Sequence, residues 1–544
     1  MRGVTLICVL FLAAAVRSLV LPSPEQFTFF QDDDPKEDVG MVFMSGKNSK
    51  LPQKIAIIGS GITGATAAYN LREGFRTRFP ADQQPSITVF ERNPIVGGRI
   101  TQALAYGDPR YPVDTCAATY SLSDSCISTT LLDIGLTTQQ LEGAKPDSGF
   151  GVWNGKELVG FVEEDGFREP EFWSPFRTAK WFQRYGNAPW NLSEAVSTVR
   201  LSFDLLLDAR LPSTGGESNL SAAIEAADLN GYVQGLSCSG DDRTFLDSSK
   251  GSLFVEEVAY AAERERFFAS VLELNVLEYV LSYETARPVS VQGGNLRLID
   301  RLLRLSTDDI RLNTDVLKLE RLNDNETGLT SLSSRGGLPI VESFDTVIVA
   351  TSLELANITF EPLLPNVPGL KQEYKNSFVT HFTTPSGLNA SYFNMNETMP
   401  QNILTTHSID DVFDGIDLPF FSLTLLREIT PPGATRATES LFKLVSREEI
   451  PDANIERFLA LPADSNQTLI TWIDRQPLPR SVPVYEVRED TCRKILEEIE
   501  IAPSVYYAGG GEQVVASAEF GCRMGQNSAN LILDKGRDMD ARSE

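Results

Sequence analysis

Three glycines, Gly59, Gly61 and Gly64, stand as G-x-G-x-x-G inside KIAIIGSGITGATAAYNL, residues 54–71. Between a strand and a helix, this spacing seats a nucleotide pyrophosphate. The first glycine permits the tight turn, the second lets the backbone approach the phosphates, and the third lets helix and strand pack closely. Ile62 and Thr63 open the helix, where unpaired N–H groups and the positive end of the helix dipole face an anion. Glu91 closes a second apolar strand, SITVFE. Its carboxylate suits the two ribose hydroxyls, and its charge opposes a 2′-phosphate, so NADP is disfavoured. The polar insert RTRFPADQQPS accounts for the long interval between Gly64 and Glu91.

Two further stretches exceed what a simple NAD site needs. ERNPIVGGR, residues 91–99, brings Arg92, the close-approach backbone of Gly97 and Gly98, and the cation Arg99 beside the same phosphates. YYAGGGE, residues 506–512, sets Gly510, Gly511 and Glu512 between a buried strand and a helix expected over about 514–533. That helix N-terminus is a second place for a cofactor to meet free N–H groups.

The elements that must carry these residues follow from periodicity. Residues 54–58, 344–350 and 505–508 are short runs apolar on both faces, as in a sheet covered on both sides. Ser86 to Glu91 completes a β-α-β unit with the first. FGVWNGKELVGF reads as a hairpin turning at Asn154-Gly155, because both residues tolerate positive φ. LSFDLLLDARL and SVLELNVLEYVLSY repeat apolar residues at helical spacing, and residues 377–475 return to strands.

Together these motifs resemble the FAD-dependent amine-oxidase-like flavoproteins, and within them the prenylcysteine oxidase (prenylcysteine lyase) family. The likeness extends through WNGKELV, RYG at 184–186, SVQGGN at 290–295, FDTVIVATSLELANITF, SFVTHFTTPSGLNASYF and ASAEFGCRMGQNSANLI, from about residue 53 to 534. It implies FAD as cofactor, with Val316 in VLKLERL completing the candidate set. It also implies a reaction. Hydride passes to the flavin from the carbon beside the sulfur of a prenylated cysteine, and water adds. Cysteine and a prenyl aldehyde separate, and molecular oxygen becomes hydrogen peroxide. One segment departs from the family pattern. Where the relatives carry Glu-x-Gly-Gly-Ser followed by His, this chain has YPVDTCAATYSLSD. Asp114 stands for the acid, Cys116 and Ala117 replace the glycine pair, and no His follows. The resemblance therefore implies flavin oxidation and names no catalytic acid or base.

The expected fold class is α/β: a discontinuous Rossmann-like FAD-binding domain with a mixed helical and antiparallel-sheet substrate domain. The expected division is a signal peptide at 1–18 and a lead-in at 19–50. Residues 51–110, 286–356 and 484–535 form the FAD-binding domain; 111–285 and 357–483 form the substrate domain. Alternatives left open are an oxidase or dehydrogenase of another apolar metabolite, and a non-catalytic FAD-containing lipid-binding protein. An NAD-dependent dehydrogenase leaves the two extra glycine motifs unexplained.

The rest of the chain bears on compartment. MRGVTLICVLFLAAAVRS has a basic start, an apolar run and small residues, the layout of a secretory leader. Asn-x-Ser/Thr acceptors stand at Asn191, Asn219, Asn325, Asn357, Asn389, Asn396 and Asn466. These point to a secreted protein, or one of a lysosomal or vacuolar lumen, carrying N-glycans and touching membranes only at their surface. A net charge of −26 repels phosphate backbones and argues against nucleic acid. Five cysteines follow the leader. Their odd number leaves a thiol over, and Cys126 is the nearest partner in sequence for Cys116. With two histidines, His381 and His407, and no C-x-x-C, neither a metal site nor a His triad is expected. His381 can orient substrate or be structural. Trp153, Trp173, Trp181 and Trp190 can line an apolar pocket or fill the core.

Overall fold

The computed structural model describes residues 51–116, 119–121, 125–140, 150–162, 182–208, 220–229, 232–233, 253–269, 273–281, 288–323, 325–362, 364, 373–395, 399–406, 418–433, 438–461, 468–484 and 498–540. All lie in one compact unit, Ser49–Glu544. The leader, the lead-in, Cys238, Cys492, His407, Trp173, Trp181, Asn219, Asn396 and Asn466 lie outside the described residues.

A six-stranded sheet organises the nucleotide motif. Its strands are β1 (Lys54–Ile58), β2 (Ser86–Phe90), β3 (Asp309–Arg311), β4 (Thr346–Val349), β5 (Glu500–Ala502) and β6 (Val505–Tyr507), in the order β3-β2-β1-β4-β6-β5. All neighbours are parallel except β5 and β6. The three separated apolar runs thus meet as β1, β4 and β6, the crossover connectivity of a doubly wound sheet.

The two-sided apolarity of β1 has a direct cause. Ile55 and Ile57 face helices, packing with Ala65, Ala68, Leu71 and Phe75 of α1 (Ile62–Arg78). Leu302 of α2 (Leu296–Ser306) and Leu531 of α3 (Ala518–Asp540) join that cluster. Ala56 and Ile58 face the other way, onto Val316, Leu319, Leu329 and Phe344. Those side chains come from a four-stranded sheet, Ile340–Phe344, Glu326–Ser333, Thr314–Asn323 and Thr359–Glu361 in spatial order. The run 344–350 is therefore two elements: Phe344 ends a strand of this second sheet, and β4 begins at Thr346.

A seven-stranded sheet holds the rest of the strand-rich sequence. Its order is Trp472–Val484, Glu373–Thr384, Glu439–Ser446, Ser422–Ile429, Asn402–Thr405, Phe150–Trp153 and Leu158–Val162. All pairs are antiparallel except Asn402–Thr405 with Phe150–Trp153. Phe382, Phe393, Phe420, Phe442 and Trp153 form an aromatic core beside it, with Trp153 stacked on Phe420 at 5.8 Å. Trp153 is thus a packing residue; the side chain of Trp190 is outside the described set.

The expected hairpin forms, and of its two turn residues Gly155 has positive φ, at +90°. Asn154 works through its side chain, whose Oδ1 accepts the N–H groups of Lys156 and Glu157. In SVLELNVLEYVLSY the described helix is only Val276–Leu281, because Asn275 caps it: Asn275 Oδ1 accepts the Glu278 N–H, and Glu278 Oε2 accepts that of Asn275. Cys126 bonds to Cys522, 396 residues away, not to Cys116, which is a buried free thiol. Glu519 explains that pairing, since its carboxylate accepts the Cys126 and Ile127 N–H groups and docks the start of Ser125–Asp133 on α3.

Candidate functional site

The glycine turn is built as its spacing requires. Gly59 has φ +103°, and its N–H donates to the Phe90 carbonyl at 2.8 Å. A Cβ on Gly64 would sit 2.0 Å from the Gly59 carbonyl oxygen, so only glycine lets α1 begin this close to β1. Gly61 is different. A Cβ there would come no nearer than 3.9 Å to any protein atom, in this case Gly97 and Gly98. Nothing in the protein itself demands glycine at 61, whereas a group lying on the turn would. The helix start carries no side-chain cap. Its leading N–H groups are left to a ligand. The residues fit a dinucleotide pyrophosphate on these grounds. Thr63 is placed elsewhere: its side chain lies against Gly521 of α3.

Glu91 follows β2 and is buried. Its Oε2 accepts the Ser60 N–H at 3.0 Å and the Ser60 hydroxyl at 2.7 Å, and Oε1 accepts the Asn93 N–H at 2.9 Å. The carboxylate therefore braces the turn, with lone pairs to spare for a sugar. The Gly97-Gly98 loop folds onto the same turn through a Gly97 N–H bond to the Ser60 carbonyl at 3.1 Å. Arg92 points to Asp315 at 3.5 Å and the Ala356 carbonyl at 3.2 Å, half-exposed. Val316 is buried in the core cluster behind Ile58.

The second glycine motif meets the first through charge. Arg99 pairs with Glu512 and donates to the Ser481 carbonyl at 3.2 Å. Tyr374 donates its hydroxyl to Glu512 at 3.0 Å, and burial and the Glu512 charge push its phenol pKa up. Gly510 and Gly511 are buried in a short 3-10 turn, Gly509–Gln513. The long helix starts only at Ala518, so its N-terminus does not open directly off the glycines as expected. Arg99 stays 42% exposed beside its pairing with Glu512.

Pro112–Asp114 pairs with Gln102–Leu104. Asn295, from SVQGGN, donates its N–H to Asp114 Oδ1 at 3.0 Å. Burial raises the Asp114 carboxyl to about 6, against the opposing pull of that N–H, Lys443 and Arg427. Cys116 is pushed up by burial, while the charges of Lys443 and Arg99 oppose it. Ala117 is outside the described residues. His381 sits in Glu373–Thr384 with Lys443 as its cross-strand partner on one side and Asp474 on the other. It is fully buried, with Asp474 Oδ2 3.9 Å from Nδ1. Burial lowers its pKa, against the opposing pull of Asp474 and the Asp114 backbone. Lys443 and Asp474 carried no signal in the sequence, since one charge in a strand reads as an ordinary solvent face.

A dinucleotide turn with a second glycine motif tied to it, on a parallel sheet covered on both faces, defines a nucleotide-binding protein. Residues 57–132 match the NAD(P)-binding Rossmann-like domain, and residues 169–542 match the prenylcysteine lyase family. The chain belongs to the prenylcysteine lyase family. Among curated relatives, farnesylcysteine lyase of Arabidopsis thaliana is 24% identical over 495 residues, 90% of each chain. Prenylcysteine oxidase 1 of Homo sapiens is 24% identical over 508 residues, 89% of each. A putrescine oxidase variant superposes with TM-score 0.54 at 15% identity, covering 91% of this chain and 100% of that one. Cyclohexylamine oxidase from Brevibacterium oxydans gives 0.50 at 16%, over 89% and 99%. These two likenesses establish the fold.

Proposed function

We propose that the protein is an FAD-dependent thioether oxidase that cleaves S-prenylated cysteine in the secretory route. The observation that carries this reading is the ion pair of Arg99 with Glu512, which ties the two glycine motifs together in a chain of this family. Gly59, Gly61, Ile62, Gly64, Glu91, Gly98 and Arg99 would hold the dinucleotide, with Gly510, Gly511 and Glu512 beyond them. Bound there, FAD supplies the two-electron acceptor for oxidation of the methylene beside sulfur. The net reaction balances as thioether, water and molecular oxygen going to free cysteine, prenyl aldehyde and hydrogen peroxide. The protein's own share is to orient the methylene and to keep bulk water from it.

The division of labour that fits this reading leaves 51–110, 286–356 and 484–535 to the cofactor, and 111–285 and 357–483 to the substrate. The Cys126–Cys522 bond favours an oxidising compartment, and exposed acceptors at Asn325 and Asn357 favour glycosylation there. The test is anaerobic addition of S-farnesylcysteine to natively purified protein. The yellow absorbance should bleach, and air should restore it with one aldehyde and one peroxide per thioether consumed. Protein without bound flavin, or flavin that no prenyl thioether bleaches, overturns the reading.

A further inference from the structure

Two strands of the seven-stranded sheet reach the ion pair of Arg99 and Glu512. In Glu373–Thr384, Lys375 lies opposite Val482 and Ser377 opposite Leu478. Pro479, Arg480 and Ser481 of the edge strand Trp472–Val484 therefore all stand opposite Asn376. This is a β-bulge, the device by which an edge strand re-aims its groups. Its own bonds hold it. Arg480 has φ +50°, and its N–H donates to Asn376 Oδ1 at 2.8 Å. The hydroxyls of Ser377 and Ser481 lie 2.8 Å apart, and that of Ser481 donates to the Leu478 carbonyl at 2.8 Å. The bulge turns the Ser481 carbonyl onto Arg99 Nη1 at 3.2 Å. Two residues before Asn376, Tyr374 donates to Glu512 Oε2 at 3.0 Å, while Arg99 donates to Oε1. A sheet with no nucleotide motif thus holds both members of the pair that joins the glycine motifs. The arrangement is braced from a third side. Glu273 bonds Lys375 and, at 2.9 Å, Arg447. Just beyond it, Asn275 Nδ2 donates to the Val514 carbonyl at 2.8 Å, and Glu278 Oε1 accepts the Ala516 N–H at 3.0 Å. One short segment therefore ties the strand that carries Tyr374 to the chain just after Glu512.

We propose that Tyr374 is a positioning residue of the cofactor site: its phenol fixes the Glu512 carboxylate, and through it the direction of Arg99, for binding of FAD. This rests on the FAD reading above and deepens it. Arg99 alone leaves Glu512 free to swing, because both side chains are long and Arg99 is partly exposed. A second donor on the other oxygen fixes the plane of the carboxylate, and each oxygen keeps a further lone pair for a ligand hydroxyl. Burial and the Glu512 charge push the phenol pKa up, so the hydroxyl stays a donor at neutral pH. Arg99, held at Glu512 and at the Ser481 carbonyl, still has N–H groups to offer a cofactor. No bond changes at Tyr374; it acts through Glu512.

The test is a double-mutant cycle on FAD affinity, measured by calorimetric titration of FAD into full-length protein stripped of its flavin. Tyr374→Phe removes one hydroxyl and should weaken FAD binding about tenfold, the low end for one charge-assisted hydrogen bond. Glu512→Gln should weaken it at least as much. The double variant should bind FAD within about twofold of Glu512→Gln alone, because the phenol acts only through that carboxylate. Unchanged affinity in Tyr374→Phe overturns the proposal, and so do losses that multiply in the double variant. Urea unfolding of the same stripped proteins separates a merely structural phenol, which would lower stability and leave FAD affinity as in the parent; that result also overturns it. Parent protein that neither carries nor takes up FAD overturns the cofactor reading and this proposal together. No substrate enters the test, so a failed oxidation assay refutes the reaction and not the positioning role.

Discussion

Asp114 makes the charge arrangement measurable without any substrate. Burial raises its carboxyl to about 6, and the Asn295 N–H, Lys443 and Arg427 only partly offset that. An unfolded chain has an aspartate near 3.9. The folded protein thus holds this proton more tightly than the unfolded one. Its contribution to stability is full below about pH 4 and is lost as pH climbs through about 6. A displacement of roughly two pH units corresponds to ~3 kcal/mol once both states are ionised, and to only ~0.5 kcal/mol near pH 4. Asparagine removes the charge and keeps an oxygen for the Asn295 N–H. Asp114→Asn should therefore gain on the parent by about 2 kcal/mol between about pH 4 and pH 7.5. Equilibrium urea unfolding with the disulfide intact reads this directly. A gap that stays constant with pH, or that opens in favour of the parent, refutes the placement of Asp114 as a carboxyl strained by burial.

Other outcomes follow from single contacts. Gly64→Ala should yield protein with little or no bound flavin by visible absorbance, because its Cβ would meet the Gly59 carbonyl at 2.0 Å; normal flavin content would show the turn has room to shift. Cys522→Ser should cost about 2–4 kcal/mol in chemical unfolding, by freeing a very long loop in the unfolded chain, whereas Cys116→Ser should cost under about 1 kcal/mol, since that thiol bonds to nothing covalently. Equal losses would reassign the bridge. Asn357→Gln, at an exposed left-handed position after Leu353–Ala356, should remove one glycan's mass from protein made in a secretory host, and no change there would argue against that acceptor being used.

What the sequence made legible was whatever depends on local chemistry. β1, β4 and β6 could be recognised because burial on both faces excludes polar residues, a constraint each strand obeys by itself. The glycine turn was legible for the same reason: the φ of Gly59 and the close pass at Gly64 are demands within a single β-α step. Pairings across the chain were not legible. Cys126 finds Cys522 because Glu519 docks one helix start on another, and no spacing rule encodes that. Lys443 lies in SLFKLVS, where alternation says which face it occupies but not what covers the face. It feels the charges of Cys116 and Asp114, from the one segment that departs from the family pattern, and that of Glu265. The departure replaces a glycine pair but keeps an acid, and the acid is the group that the SVQGGN turn grips through Asn295. What changes along that segment is therefore the glycine pair and the following His, while the acid and its grip by Asn295 stay.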